Sequence, residues 1–286
     1  MCEHDDLDEF ARRGDLTRRQ FGAMALAVGL AAMLPKSADA GETTGEDVEV
    51  KTPDGVADAF IAHPTQGKFP AVLIWPDIFG LRPAFKAMAT RLAGSGYTAL
   101  VVNPFYRIHK APTAPEHASF DDPATRDALM SLKNSLTPAT TMTDAKAFVT
   151  YLEGHAAVDR KRTMGTTGYC MGGPLVLRTA AARPDRIGAA ATFHGGGLVT
   201  KDADSPHLLI PQTKAHYLIA IAANDDEKDP SAKTVLRETF ERAHLPAEVE
   251  VYTGTQHGWC PPDSPVYDKD QAEKAWARLL VLLKSA

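Results

Sequence analysis

Gly168-Tyr169-Cys170-Met171-Gly172-Gly173 sets a cysteine among small residues, between an extended segment, Arg162 to Thr167, and an apolar helical one, Pro174 to Ala182. A nucleophile raised on a sharp strand-to-helix turn needs neighbours with almost no side chain, because the turn strains the backbone and the helix begins at once. The spacing is that of the G-x-S-x-G nucleophile elbow, with a thiol in place of the hydroxyl. At ordinary residue frequencies the four fixed positions coincide by accident in about one chain in a thousand. The competing reading of Cys170 is a buried structural thiol, since free cysteine is among the most buried residue types.

Partners for a nucleophile follow in the chain. Ala215 to Ala222 reads as a buried strand and runs into Asn224-Asp225-Asp226; Ala247 to Tyr252 reads as the next strand and leads to Gly254-Thr255-Gln256-His257-Gly258-Trp259. Each polar group falls just past the C-terminal end of a strand, where open α/β sheets bind ligands. Nucleophile, acid, histidine is also the chain order of an α/β-hydrolase. Taken singly, His257 reads as a solvated loop histidine and Asp225 as an N-cap ahead of a helix over Pro230 to Ala243.

The remaining chain alternates strands and helices, the pattern of a mostly parallel sheet flanked by helices on both faces. Val48 to Lys51 and Val56 to Ala62 form an expected antiparallel pair around Pro53-Asp54-Gly55, and Ala71 to Trp75, Thr98 to Asn103 and Ile187 to Phe193 read as apolar strands. Helices are expected over Pro83 to Ala93, Pro123 to Leu136, Thr141 to Leu152 and Asp270 to Leu283, with Gly41 to Asp47 as a polar linker. Ile108 to Asp122, rich in Pro, Ala and His, is the expected cap over the site.

The chain after residue 45 resembles the dienelactone hydrolase family. Asp77-Ile78-Phe79-Gly80 is similar to its E-I-F-G loop, Gly168 to Gly173 to its G-Y-C-x-G-G elbow, and His257-Gly258-Trp259 to its histidine loop. The resemblance implies an α/β-hydrolase fold, a Cys170, His257 and Asp225 triad, and an oxyanion hole from the backbone N–H groups of Ile78 and Met171. Asp225 aligns without gaps and is preferred to its neighbour Asp226. In such a site His257 takes the thiol proton while Asp225 fixes its tautomer and stabilises the imidazolium. The implied reaction is hydrolysis of a small-molecule ester or lactone through a thioester, with no cofactor.

Two departures bear on substrate. Family members that cleave dienelactones meet the substrate carboxylate with arginines; Arg107, after Pro104-Phe105-Tyr106, resembles one, but Gly258-Trp259-Cys260-Pro261 contains no second arginine. A bidentate arginine is the usual holder of a carboxylate, so a bulkier or more apolar ester or lactone is expected. Asp77 stands where the family commonly has a glutamate that keeps the resting thiol neutral, and its carboxylate is one methylene shorter. Trp259 is expected to line the substrate cavity beside His257.

Residues 1–40 read as a twin-arginine (Tat) signal peptide: Arg18-Arg19, an apolar run from Gly22 to Leu34, then Ala38-Asp39-Ala40. The run is too short for a membrane-spanning helix, which needs about 20 residues. Cleavage after Ala40 leaves 41–286 as one catalytic domain of 246 residues, expected as a periplasmic or secreted monomer whose precursor meets the Tat export machinery. Removing 5 basic and 7 acidic residues from 31 and 36 leaves 26 against 29, a balance that favours neither nucleic acid nor an anionic membrane. No further apolar run suggests a stable membrane anchor.

Other motifs weigh less. His194-Gly195-Gly196-Gly197 imitates a lipase oxyanion loop but follows the nucleophile instead of preceding it, so it reads as a strand-end turn near the pocket. The ten histidines show no metal-ligand spacing, and no metal is expected. Cys260 lies three residues past His257, and in an oxidising compartment it invites either a disulfide with Cys170 or the reading of a packed bystander, which is preferred. A non-catalytic binding module on a hydrolase fold, and a thiol redox protein cycling Cys170 against Cys260, are the alternatives of other classes.

Overall fold

A computed structural model describes residues 41–285. Eight strands make one sheet in the order β1-β2-β4-β3-β5-β6-β7-β8: β1 Thr43–Thr52, β2 Gly55–Pro64, β3 Ala71–Trp75, β4 Thr98–Val102, β5 Met164–Tyr169, β6 Ile187–Phe193, β7 His216–Ala222 and β8 Ala247–Tyr252. β1 pairs antiparallel with β2, and β2 with β4; every later pairing is parallel. The chain steps from β3 outward to β4, then crosses back to place β5 on the other side of β3. That reversal opens a crevice at the C-terminal ends of β3 and β5, the ligand position of doubly wound sheets.

Strand alternation decides which face each residue feeds. Ala71, Leu73 and Trp75 of β3 join a core with α3 (Pro138–Gly154), α4 (Gly172–Ala182) and α6 (Ala232–Ala243), whereas Val72 and Ile74 join a second core with α1 (Pro83–Gly94) and α7 (Lys269–Lys284). Both faces are therefore covered, which is why the central strands are apolar throughout. The indole N–H of Trp75, buried in the first core, donates to Thr179 Oγ1 at 2.9 Å, and that hydroxyl donates to the carbonyl of Leu175 at 2.7 Å.

Most expected elements lie where the sequence put them, and the differences have local causes. The expected linker from Gly41 to Asp47 is mostly strand: β1 begins at Thr43 and pairs with β2 through Thr43 opposite Pro64, because ladder hydrogen bonds need no apolar side chains. Its exposed polar residues suit a sheet edge. The helix expected from Thr141 starts at Pro138, since Thr137 and Thr140 form a reciprocal capping box and Pro138 takes the first turn. The helix expected over Pro230 to Ala243 is α6, which starts at Ala232, and a short α5 (Ala223–Lys228) that the sequence did not suggest precedes it, with Asp225 and Asp226 in its first turn. α2 (Pro123–Asn134) is capped by Asp122, whose side chain accepts from the Thr125 N–H at 2.8 Å.

Replacing Thr179 by Val, nearly the same shape, strands the Trp75 N–H in the core. Such an orphaned donor costs about 1–3 kcal/mol, to be read as a lower urea midpoint that Thr179→Ser restores.

Candidate active site

Backbone contact builds the elbow. Cys170 adopts φ 52, in the left-handed region that a side-chain-bearing residue rarely occupies. A Cβ on Gly168 would lie 2.3 Å from the carbonyl oxygen of Gly172, and one on Gly172 would lie 2.5 Å from that of Trp75. A Cβ on Gly173 would meet the Cα of Gly195 at 2.7 Å. The glycines thus press the elbow against the end of β3 and the turn after β6. The Cys170 N–H donates to Phe193 O at 3.0 Å, and the N–H groups of Gly173 and Gly196 donate to Cys170 O at 3.1 and 3.3 Å.

Loops after β7 and β8 bring the other groups in. His257 Nδ1 and Asp225 Oδ2 are 2.6 Å apart, and the His257 N–H donates to Asn224 Oδ1 at 2.8 Å. Thr255 Oγ1 accepts from the Ala223 N–H and donates to Tyr252 O, tying one loop to the other. Asp226 points elsewhere, 2.6 Å from Lys233 Nζ. Asn224 and Thr255 received no role from the sequence; a polar residue directly flanking the acid was the signal available for Asn224. Cys170 and His257 line one cleft of about 1940 Å³ together with Asp77, Ile78, Met171 and His194. Among the described residues neither the Ile78 nor the Met171 N–H donates to a protein acceptor, so both remain available to a ligand oxygen.

Burial alone would discharge the His257 imidazolium, but hydrogen bonding to Asp225, the interaction with Cys170 and the fields of both outweigh it, and the pKa is pushed up to about 10. His194 lies beside it, ring centroids 5.1 Å apart and edge to face, 1% exposed, with both ring nitrogens unpartnered. Burial, helped by the charge of His257, holds His194 well below the ordinary histidine value, hence neutral. The turn it begins, with Gly196 and Gly197, lines the cleft as the sequence suggested.

Three expected contacts are placed differently. Arg107 is absent from the cleft wall: its guanidinium forks onto Asp144 at 2.6 and 2.7 Å and reaches Asp54 at 2.6 Å, joining the β1–β2 turn to α3. The buried carboxylate of Asp144 needs that partner more than a substrate does. Trp259 is wholly buried in the second core, stacked on Tyr252 with centroids 5.2 Å apart, because the chain turns inward after His257. Asp77 does line the cleft, but its carboxylate is engaged by Arg82 at 2.6 and 2.9 Å and by the Phe79 N–H at 2.9 Å. Burial pushes its carboxyl above the ordinary value against the pull of Arg82.

Cys170 and Cys260 are both free thiols. Cys260 is packed in the second core and borders a separate cavity of about 130 Å³ whose lining includes none of Cys170, Asp225 and His257. Burial pushes its thiol well above the usual range, which suppresses the thiolate needed for exchange. Of the segment Ile108 to Asp122 expected as a cap, residues 110–112 and 114–121 line the cleft without regular structure, and Thr113 Oγ1 donates to Phe79 O at 3.0 Å. Among the described residues no group of three or more His, Cys, Asp or Glu is arranged to hold a metal ion. No described helix is long and apolar enough to cross a membrane.

A family model described as "Dienelactone hydrolase family" matches residues 57–286. A carboxymethylenebutenolidase of Rhodococcus opacus is 26% identical over 217 residues, 74% of this chain and 79% of its own. A dienelactone hydrolase-like promiscuous phosphotriesterase from metagenomic libraries superposes with a TM-score of 0.69 at 22% identity, over 86% of this chain and 99% of that one. The dienelactone hydrolase of Anabaena variabilis does so with a TM-score of 0.60 at 14% identity, over 85% and 100%. The fold is the α/β-hydrolase fold.

Two outcomes follow for His257. Its folded pKa lies above the unfolded value of about 6.5, so its contribution to stability is complete below that pH and is lost as pH rises through about 10. In an NMR titration of the ring, Asp225→Asn should lower the His257 pKa by about one unit or more; an unmoved titration would show that the carboxylate does not govern the imidazole.

Proposed function

The chain belongs to the dienelactone hydrolase family, and we propose that it hydrolyses small carboxylic esters or lactones with Cys170 as nucleophile, His257 as proton carrier and Asp225 as its orienting acid. The observation that carries this reading is the 2.6 Å contact between His257 and Asp225 at the rim of the cleft that Cys170 also lines.

The thiol proton passes to His257, whose raised pKa favours the imidazolium beside a thiolate. Attack of the Cys170 sulfur on the carbonyl carbon gives a tetrahedral oxyanion, held by the N–H groups of Ile78 and Met171, each such donor being worth about 3 kcal/mol of barrier. Collapse breaks the carbon–oxygen bond; the leaving alkoxide takes the proton from His257 and departs as the alcohol, and Cys170 is left as a thioester. Neutral His257 then removes a proton from water, the hydroxide adds to the thioester carbonyl, and the acid is released with thiolate and imidazolium restored. Asp225 fixes the tautomer that presents the far ring nitrogen to sulfur.

The redox alternative needs Cys260 as a resolving thiol, and its burial with a raised pKa argues against that. The twin-arginine segment lies outside the described residues; from its sequence we propose export to the periplasm, to be read by fractionation of cells carrying an Arg18→Lys, Arg19→Lys precursor, which should stay in the cytoplasm.

Hydrolysis of p-nitrophenyl acetate and of a γ-lactone should fall by about 10³-fold or more in Cys170→Ala, and mass spectrometry of the native protein quenched during turnover should show an acyl adduct on the Cys170 peptide. Full activity in Cys170→Ala would end the assignment.

A further inference from the structure

We propose that the cleft selects uncharged esters or lactones bearing an extended apolar group and turns away substrates that carry a free carboxylate; this rests on the ester-hydrolase reading above and narrows it. Three observations converge on it.

The first is what has become of the cations. Arg82 is the sole arginine among the residues lining the cleft. Its Nη1 and Nη2 donate to Asp77 Oδ1 and Oδ2 at 2.6 and 2.9 Å, and its Nε and Nη2 donate to Asp263 Oδ2 and Oδ1 at 2.7 and 3.0 Å. Both edges of the guanidinium thus carry a fork, and the protein's own carboxylates hold the positions a ligand carboxylate would need. Lys86 lies 2.5 Å from Asp47 and Lys110 lies 3.0 Å from Glu49. The remaining lysine, Lys133, is exposed near the end of α2. Arg107 is spent on Asp144 and Asp54, away from the cleft.

Charge balance points the same way. Seven carboxylate residues line the cleft against four lysines and arginines, an excess of three negative groups, which His257 reduces by one when protonated. A concave wall with one sign in excess focuses its field, so an approaching anion is repelled before it makes contact.

Size and surface supply the third. A volume of about 1940 Å³ exceeds the roughly 300–1,000 Å³ usual for small-ligand pockets. Ile78 and Met171 share an apolar cluster with Phe79, Met130 and Cys170, and Pro115 and Phe120 of the 110–121 segment line the same cleft. An acyl or alkoxy chain anchored at Cys170 therefore has an apolar track to follow, and each buried methylene favours it by about 0.8 kcal/mol.

Two p-nitrophenyl esters of equal acyl length separate the possibilities: the valerate, which is neutral, and the monoglutarate, which ends in a carboxylate. For the full-length protein at low salt, kcat/KM for the valerate should exceed that for the glutarate by about tenfold or more, and the gap should shrink as salt rises. From acetate to octanoate kcat/KM should climb by about tenfold or more. Asp263→Ala, at a side chain 43% exposed, frees one edge of Arg82 and should raise the glutarate-to-valerate ratio severalfold. Equal or faster turnover of glutarate by the native protein, or a rate that peaks at acetate, would overturn the proposal. A ratio unmoved in Asp263→Ala would remove Arg82 from it. Failure on every ester and lactone would instead sink the hydrolase reading, and this one with it.

Discussion

The close approach of three backbone turns is the constraint on which the site depends. Gly172 sits against Trp75 O, Gly168 against Gly172 O and Gly173 against Gly195, each nearer than any Cβ would allow. Through these contacts the elbow, the loop after β3 and the turn after β6 become one rigid rim. Cys170 then has no freedom to relax from φ 52, because its N–H and C=O are both bonded to the neighbouring turn. Strain of about 1–3 kcal/mol at such a residue persists only where the surroundings over-determine it. Two strands packed on both faces provide those surroundings, and the crevice at their ends is lined by both Cys170 and Ile78.

Electrostatics at this rim rest on unequal burial of two neighbouring histidines. His257 keeps Asp225 as a partner and gains charge; His194, without any partner, loses it. Were both charged, centroids 5.1 Å apart, each would discharge the other. A neutral His194 packed edge-on can instead hold the ring plane of His257 without competing for the aspartate. The wedge continues inward through Trp259, whose ring lies 5.1 Å from His194, so the loop that carries His257 is anchored in the second core.

The strands of a mostly parallel sheet, the elbow turn and the strand-end positions of Asp225 and His257 are legible because each depends on local patterns: apolar runs, glycine spacing and strand ends; the order of the strands in the sheet is not. Asp225 could be told from Asp226 only weakly, since the choice turns on which carboxylate faces the next loop and which faces Lys233. Arg107 and Trp259 went the other way for a shared reason. Sequence places them near the site along the chain, yet a guanidinium beside a buried Asp144 and an indole beside a core tyrosine find stronger partners in the interior. The first half of edge strand β1 carries no strand pattern in the sequence because its ladder is made by backbone alone. Arg82 carried no visible signal, as its role requires Asp263, far off in sequence, to be its neighbour in space.

Arg82 joins these threads. It begins the first turn of α1, crosses the guanidinium over the rings of Phe79 and Phe85 at 5.5 and 4.9 Å, and bridges the loop after β3 to the one after β8. The carboxylates of Asp77 and Asp263 hold it above its ordinary pKa although burial works the other way. One side chain therefore both fixes the spacing between the Ile78 loop and the His257 loop and removes itself as a receptor for anions. A site that kept its arginine free would need another tie between those loops, so anchoring of the rim and the loss of a free arginine from the cleft arise from the same five N–H groups.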